Sequence, residues 1–455
     1  MSMPPPIERV PPTPGAPVHR VIRSSKGAHV LVVPHSRLLD VDAAFAEALD
    51  RNDSSALQAI VELTAPAWGE APLDLVPDIA PHAISLNVSS SCNLSCGYCY
   101  ASRGSFGDNS RQAMSIAVAL ASVDTLLAGA ERGAPVTIGF LGGEPFVRPD
   151  VIHAVVEHAS ARGRREGIDV RFSVTTNGTL LRPADHELLR AHPFAVTVSI
   201  DGGRDVQDTQ RPLRLGGRRA VSSFDALRAA TGPLLESPGL ARLAARATVS
   251  RSRLDIGTAF DAIVALGFTE VGFSPLRASP ETSDDVFRDQ DWPIYLDASM
   301  ALARRELDRV QSANGLEKAI RFSNLAIALR QLASGSSMPY PCGAGGGYAS
   351  IAPEGDWYAC HRAIGKPDYK LGGPEGPSRD ASRRFLAARH VHAKAPCGGC
   401  WARYLCSGAC HQEALSLSEA SCSFIRDWLQ FCLTIYCESD AMGGLVSSDR
   451  GLEHG

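Results

Sequence analysis

Residues 84–100, ISLNVSSSCNLSCGYCY, place a short apolar strand directly before three closely spaced cysteines. The cysteines are Cys92, Cys96 and Cys99, and no fourth cysteine lies near them in the sequence. Three thiolates at C-x3-C-x2-C spacing can bind three corners of an iron-sulfur cubane, which leaves one iron open to another ligand. A zinc knuckle with a distant fourth ligand is the alternative that this spacing leaves open.

The strand at 84–88 is the first of a series in which short apolar strands alternate with amphipathic helices. Further strands are predicted at 136–143, 169–178, 195–201, 245–250 and 270–276. Helices are predicted near 114–130, 150–163, 183–191, 222–237, 257–266 and 293–310. Strands that alternate with helices pair in parallel through right-handed crossovers, and the site then lies at the C-terminal ends of the strands. The sequence therefore predicts an α/β sheet or barrel.

The rest of the chain divides by composition. A Pro-rich tail is expected to be disordered, and a hairpin with two short helices follows it, either as a cap on the next domain or as a peptide-docking unit. The predicted segments are a disordered tail at 1–20, the hairpin-helix unit at 21–81, the strand-helix domain at 82–310, a helical connector at 311–340, a Cys-rich domain at 341–440 and a polar tail at 441–455.

Charge and cysteine content limit the possible partners and compartments. The 455 residues carry 45 Lys+Arg against 49 Asp+Glu. The chain therefore lacks the excess of positive charge that would predict binding to nucleic acid or to an anionic membrane. The sequence shows neither a secretory signal nor an apolar stretch of about 18 residues, and a cytoplasmic location is expected. Cytosolic thiols stay reduced, so the 12 cysteines are interpreted as metal ligands rather than disulfides.

Nine of those cysteines follow residue 340. Cys342 is separated from Cys360 by a segment that contains Gly355, and the remaining ligand candidates are Cys397, Cys400, Cys406, Cys410 and Cys422. The segment has few apolar runs, so metal binding is expected to supply part of its folding free energy. A pair of zinc sites is the alternative. Cys432 and Cys437 lie on an apolar helix and are interpreted as core residues.

Both cysteine groups resemble known motifs. The first, with the aromatic Tyr98, resembles the radical S-adenosylmethionine (SAM) superfamily, which implies a partial (β/α)6 TIM-like barrel. The second resembles the SPASM domain, which implies two auxiliary 4Fe-4S clusters. Together they imply SAM and three 4Fe-4S clusters as cofactors. The small N-terminal α+β unit loosely resembles the peptide-recognition element that precedes such barrels.

The resemblance also implies which residues contact SAM. These residues follow the ends of the predicted strands, where glycines let the backbone approach closely and an acid or an arginine supplies charge. They are Tyr98, Gly142, Gly143, Glu144, Thr176, Asn177, Ser199 and Arg211.

In the SPASM-like segment, family usage assigns the ligands in two sets. The first auxiliary cluster takes Cys342, Cys360 and Cys410, and the second takes Cys397, Cys400, Cys406 and Cys422. Some relatives have an eighth cysteine that this sequence lacks. The first auxiliary cluster is therefore expected either to have an open iron or to take a fourth ligand from elsewhere.

The segments PCGAG and EGDWYACHR resemble those of maturases that crosslink ribosomally made peptides. The expected activity is formation of an intramolecular carbon-carbon or thioether crosslink in a precursor peptide, with electrons from a flavodoxin or ferredoxin. Sulfatase maturases, the alternative, usually place an Asp base where this chain has His361, which is a candidate base or a hydrogen-bonding neighbour of a cluster. A non-catalytic electron carrier would leave Glu144, Ser199 and Arg211 without a purpose.

Overall fold

The computed structural model describes residues 8–63, 72–102, 112–214, 222–277, 284–313, 319–414 and 417–439. The chain forms two compact units, and each contains more than one segment of sequence. The first unit comprises Met1–Pro77, Trp292–Cys342 and Leu386–His454. The second comprises Asp78–Asp291 and Gly343–Phe385.

The first unit begins with a three-stranded antiparallel sheet. Its strands are β1 (His19–Ser24), β2 (Gly27–Val32) and β3 (Arg37–Val41), in the order β1-β2-β3. The predicted hairpin corresponds to β2 and β3, whereas β1 was not predicted. Helices α1 (Ala43–Asp50) and α2 (Ser54–Glu62) pack on this sheet through a small core that includes Val30, Leu49 and Ile60.

Residues 8–18 precede that sheet and were assigned to the disordered tail. The structure holds them by backbone hydrogen bonds, because Val10 N donates to the Asp74 carbonyl at 2.8 Å and Val76 N donates to the Glu8 carbonyl at 3.0 Å. The part of the predicted tail at 1–7 lies outside the described residues.

The second unit contains the predicted parallel sheet. Its strands are β4 (Ala83–Ser89), β5 (Pro135–Gly142), β6 (Asp169–Thr176), β7 (Phe194–Ser199), β8 (Arg242–Val249) and β9 (Val271–Pro275), and they neighbour one another in chain order. The intervening helices are α3 (Ile116–Ala128), α4 (Pro149–Glu166), α5 (Pro183–Ala191), α6 (Arg204–Gln210), α7 (Ser223–Glu236) and α8 (Ile256–Val264). All six predicted strands are confirmed, and α6 is an additional helix.

The two faces of this sheet differ in character, because successive strand residues point to opposite sides. One face packs against the helices and is buried and apolar: the ring of Phe172 lies 6.5 Å from that of Phe140 and 5.2 Å from that of Phe194. On β6 to β9, the opposite face, which we call the open face, carries half-buried or exposed side chains, in which small residues occur together with Arg171 and Arg246. Its members include Ser173, Thr175, Ala195, Thr197, Ser199, Thr248 and Ser274.

Four short strands that were not predicted extend this sheet. Strand β10 (Tyr348–Ile351) pairs in parallel with β4, and β11 (Trp357–Tyr358), β12 (Lys370–Gly373) and β13 (Gly376–Pro377) continue antiparallel from it. The sequence placed a domain boundary between residues 340 and 341. In the structure, residues 343–385 belong instead to the same unit as the parallel sheet.

The remaining helices are α9 (Asp291–Ser312), α10 (Ser323–Ser334), α11 (Arg379–Arg389), α12 (Arg403–Cys406) and α13 (Glu419–Glu438). Within the first unit, α13 packs against α9 through Phe424, whose ring lies 5.4 Å from that of Trp292 and 5.0 Å from that of Tyr295. Cys432 of α13 is fully buried, as predicted for a core residue. Among the described residues, none of the helices combines the length and apolar character that crossing a membrane requires.

Candidate active site

The three-cysteine loop follows β4 at the C-terminal edge of the parallel sheet. The backbone of residues 212–214 holds it in place, since Ser95 N donates to the Pro212 carbonyl and Arg214 N donates to the Asn93 carbonyl, both at 2.8 Å. Within the loop, Cys99 N donates to the Cys96 carbonyl at 3.3 Å. These backbone hydrogen bonds position the loop at the edge of the sheet.

The thiols of Cys92, Cys96 and Cys99 are half-buried and lie close together. Burial, with smaller contributions from neighbouring thiols, raises the pKa of Cys92 to about 11 and that of Cys96 to about 12. The sulfur of Cys92 also accepts the Leu94 N–H at 3.4 Å. Soft sulfur donors on a preformed loop fit an iron-sulfur cluster, whose binding would replace the protons on these thiols.

No group of three or more Cys, His, Asp or Glu side chains in the described part of the chain is arranged to hold a single metal ion. This finding does not apply to an iron-sulfur cluster, because each cysteine thiolate then binds a different iron ion.

The GGEP segment begins where β5 ends. Gly142 has a φ of 140°, and a Cβ there would lie 2.5 Å from the Ser89 carbonyl oxygen and 2.7 Å from Asn87 Oδ1. Glycine is therefore required by both the close approach of β4 and the backbone conformation. Gly143 N donates to the Ser89 carbonyl at 2.7 Å, which joins this turn to the strand that leads into the cysteine loop.

Glu144 is buried beside that turn and accepts three hydrogen bonds. Its Oε1 accepts from Thr176 Oγ1 at 2.7 Å and from Phe146 N at 3.1 Å, and its Oε2 accepts from Asn177 N at 2.7 Å. Burial raises the pKa of Glu144 to about 7, although these three bonds oppose the shift. The carboxylate thus connects the ends of β5 and β6, a role that the sequence did not reveal.

Asn177 connects β6 to the cysteine loop. Its Nδ2 donates to Asn93 Oδ1 at 2.8 Å and lies 3.8 Å from the sulfur of Cys92. The predicted residues Thr176 and Asn177 therefore both lie at this edge, next to Glu144 and the first cysteine.

Arg211 forms a buried ion pair that was not predicted. Its Nε donates to Asp201 Oδ2 at 2.9 Å and its Nη2 donates to Asp201 Oδ1 at 3.0 Å. The Tyr98 hydroxyl donates to the same carboxylate, and the guanidinium lies 5.3 Å from the centre of the Tyr98 ring. The sequence offered one signal for Asp201 as a site residue, because it comes two residues after Ser199, where β7 ends.

The position of Arg211 matters for the cysteine loop. Its charge lowers the pKa of Cys96, against the larger effect of burial, and so favours a thiolate at that position. Ser199, the other residue predicted for the SAM carboxylate and ribose, ends β7 and is paired in register with Arg246 of β8. Arg246 Nη2 donates to Glu270 Oε1 at 3.0 Å.

The Cys360 region lies in the second unit together with the barrel strands. His361 contacts the Tyr348 hydroxyl through Nδ1 at 3.2 Å, and its ring lies 6.0 Å from that of Tyr100. Burial lowers the pKa of His361 to about 4, with a smaller contribution from the nearby Arg362. The contact with the Tyr348 hydroxyl favours the hydrogen-bonding role of His361 over the catalytic one.

The other SPASM-like cysteines lie in the first unit. Cys397, Cys400, Cys406 and Cys422 are brought together: Cys422 and Cys400 raise the pKa of Cys397, after burial, and Cys397 and Cys400 raise that of Cys406. These four are the set that the resemblance assigns to the second auxiliary cluster. Of the first set, Cys342 and Cys410 belong to the first unit and Cys360 to the second.

Comparison with known proteins agrees with this geometry. Residues 86–232 match the family model of the radical SAM superfamily. The serine-type anaerobic sulfatase-maturating enzyme of Klebsiella aerogenes is 24% identical over 337 residues, which are 72% of this chain and 79% of that protein. The mycofactocin maturase MftC of Mycobacterium tuberculosis is 27% identical over 347 residues, or 73% of this chain and 78% of MftC.

Solved structures show the same fold. The structure of native anSMEcpe with bound AdoMet superposes with a TM-score of 0.64 at 16% identity, over 80% of this chain and 99% of that one. The complex of anSMEcpe with AdoMet and the Cp18Cys peptide gives a TM-score of 0.63, also at 16% identity, over 79% and 98% of the two chains. The partial barrel expected from the sequence is therefore confirmed, and this chain is an enzyme with a radical SAM domain whose relatives in that superfamily include maturases.

Proposed function

We propose that this enzyme uses SAM to form an intramolecular crosslink in a ribosomally made precursor peptide. The observation that carries the proposal is the open face of the parallel sheet. Its side chains include small hydroxylated ones, as at Ser173, Thr175 and Thr197, and its C-terminal edge is where the three-cysteine loop lies. Hydroxyl groups at these half-buried or exposed positions can hydrogen-bond the backbone of a peptide next to the loop.

Cys92, Cys96 and Cys99 would hold three irons of a 4Fe-4S cluster. With SAM on the fourth iron, the bound group would supply a carbon-centred radical that removes a hydrogen atom from the substrate. The chain's own contribution is to hold the loop rigid and to keep cations and N–H groups near its thiolates. Arg211 near Cys96 and Asn177 near Cys92 are suited to that role.

We assign SAM contacts to the residues around this loop. Gly142 and Gly143 would leave room for the methionine moiety, and Glu144 would attract its ammonium group. Tyr98, Thr176, Asn177 and Ser199 would contact the remainder of SAM. Arg211 is bound to Asp201 through Nε and Nη2, so its Nη1 is the group that we assign to SAM.

Two auxiliary 4Fe-4S clusters would complete a set of three. The contacts among Cys397, Cys400, Cys406 and Cys422 support one of them. The other would use Cys342, Cys360 and Cys410, with an open iron or a further ligand. An oxidised auxiliary cluster is a suitable acceptor for the second electron that crosslink formation releases, and a flavodoxin or ferredoxin would supply the low-potential electron.

The N-terminal unit offers a docking surface for the precursor peptide. Strand β3 is at the edge of its sheet, and a groove of 930 Å³ runs along it, lined by β3, by the C-terminal end of α10 and by Tyr436 and Cys437 of α13. An extended peptide could add to β3 as a further strand through backbone hydrogen bonds. A peptide as the substrate, apart from where it docks, is supported by the anSMEcpe structure that contains AdoMet and the Cp18Cys peptide.

The decisive test is anaerobic reconstitution with iron and sulfide, followed by reaction with dithionite, SAM and the precursor peptide encoded beside the gene. We expect 5′-deoxyadenosine and a peptide lighter by two hydrogens for each crosslink. The variant with Cys92→Ala, Cys96→Ala and Cys99→Ala should lose about four irons and form no 5′-deoxyadenosine. An unmodified peptide beside fully reconstituted enzyme that cleaves SAM would contradict the crosslinking proposal.

Formylglycine formation is the second candidate, because the Klebsiella aerogenes sulfatase-maturating enzyme matches most of this chain. We favour peptide crosslinking because the segments PCGAG and EGDWYACHR resemble those of crosslinking maturases and because His361 stands at the position of the usual Asp base. A sulfatase-derived peptide with Cys or Ser at the modified position separates the two. Its conversion to an aldehyde, detected by a hydrazine probe and mass spectrometry, would establish the second candidate.

A further inference from the structure

Lys394 lies beside the cysteines of the first unit and is not explained by the proposed chemistry. Its side chain is half-buried, and its Nζ donates to the Gly408 carbonyl at 3.3 Å. Gly408 is midway between Cys406 and Cys410 in the sequence. Lysine ammonium groups usually remain in water, so one that is held against a cysteine-bearing turn indicates a specific use of its charge.

The turn itself has an unusual backbone. Ser407, Gly408 and Ala409 all have left-handed conformations, with φ values of 56°, 74° and 58°. Two of the three are not glycine, and such strain persists only where the surroundings impose it. Ser407 Oγ donates to the Met338 carbonyl at 2.7 Å, which is one of the contacts that hold the turn.

This turn brings donor groups and a positive charge close to the cysteines. Ala409 N donates to the Cys406 carbonyl at 3.2 Å, and the N–H groups of Ala409 and Gly408 lower the pKa of the Cys406 thiol against the larger effect of burial. The carbonyl of Gly408 accepts a hydrogen bond from Lys394 Nζ, which holds the ammonium group at the same turn. Lys394 interacts electrostatically with four thiols, first with Cys397 and Cys406 and more weakly with Cys342 and Cys410.

We infer that Lys394, together with the left-handed turn at 407–409, raises the reduction potential of the auxiliary cluster held by Cys397 and Cys406. Reduction adds one electron to a cluster that already carries anionic thiolates. A nearby ammonium and N–H groups close to a sulfur stabilise that added negative charge, and this shifts the equilibrium towards the reduced form. The inference rests on the proposed function in one respect, namely that these cysteines hold an iron-sulfur cluster.

The test measures the potential directly in the full chain. The background carries Cys92→Ala, Cys96→Ala and Cys99→Ala, so that only auxiliary clusters contribute to the signal. In this background, Lys394→Met and Lys394→Gln remove the charge, and Lys394→Arg keeps it. Lys26→Met is the matched control, because it removes a lysine charge from the exposed turn between β1 and β2. Midpoint potentials are read from redox titrations followed by EPR spectroscopy, after iron and sulfide have been quantified.

We expect Lys394→Met and Lys394→Gln to disfavour reduction of one auxiliary cluster about tenfold, which is a shift of about 59 mV to lower potential for one electron. Lys394→Arg and Lys26→Met should stay near the parent value. If Lys394→Met does not assemble its clusters, the potential of Lys394→Gln tests the inference, because the glutamine amide can still donate to the Gly408 carbonyl. Equal potentials in Lys394→Gln and the parent, or an equal shift in Lys394→Arg, would overturn the inference. A parent protein without iron at these cysteines would instead refute the proposed function.

Discussion

The buried pair between Arg211 and Asp201 makes a sharp prediction about stability. The two side chains are 11% and 0% exposed, and they share two hydrogen bonds of 2.9 and 3.0 Å. Asp201→Asn keeps the shape of the side chain but leaves the guanidinium buried without a counter-charge. Breaking a buried pair in this way costs about 3–5 kcal/mol. Asparagine keeps one acceptor oxygen, which can still accept from Thr248 N, but its Nδ2 replaces the oxygen that accepts from the Tyr98 hydroxyl. We therefore expect a loss of about 3 kcal/mol or more.

A second arginine-aspartate pair provides the control. Arg204 and Asp225 also meet through two hydrogen bonds, but their side chains are 47% and 44% exposed. Asp225→Asn should therefore cost less than about 1 kcal/mol. Urea unfolding followed by tryptophan fluorescence measures both variants, and Trp357, which is buried in the same unit, contributes to the signal. Equal midpoints for the two variants would refute the argument that burial determines the energy of this pair.

Two other changes near the cysteine loop test the geometry described above. Burial raises the pKa of Glu144 to about 7, above its ordinary value of 4.5, so the unfolded chain loses the proton first and stability falls as the pH rises between these values. We expect the free energy of unfolding to decrease by about 3 kcal/mol between pH 4.5 and pH 7.5, as measured by urea titrations. Glu144→Gln should abolish this decrease. Gly142→Ala should destabilise the protein by about 2 kcal/mol or more, because its Cβ would lie 2.5 Å from a backbone oxygen. Gly232→Ala in α7, with open space around it, should stabilise the protein by about 0.5–1 kcal/mol. Similar melting temperatures for the two alanine variants would contradict the conclusion that Gly142 must be a glycine.

The order of strands and helices could be predicted because it depends on local patterns. Each strand from 84–88 to 270–276 is a short apolar run between helices of clear amphipathic period, and each was confirmed within a few residues. The cysteine loop could likewise be predicted as a metal-binding loop from its spacing, although the spacing left iron-sulfur and zinc binding open. The strands β10 to β13 could not, because they contain only two to four residues and include several glycines. Their conformation depends on pairing with a strand far away in the sequence.

The candidate site shows the same division. Positions such as Gly142 and Asn177 were recognised from motifs at strand ends, but their partners were not. Asp201 binds Arg211 across ten positions, and Glu144 accepts bonds from a strand more than 30 residues later. Such pairs form because the ends of parallel strands converge in space, and sequence spacing contains no record of that convergence.

The parallel pairing of β10 with β4 has a consequence during protein synthesis. About 260 residues separate Ser89 from Tyr348, and at roughly 5–20 residues per second a ribosome needs about 15–50 seconds to translate them. During that interval the growing chain exposes one edge of β4, with its backbone amides and carbonyls unpaired, to any strand that encounters it. Low growth temperature or a chaperone that covers nascent strands should therefore increase the yield of soluble enzyme, and shortening the chain before residue 348 should make it prone to aggregate.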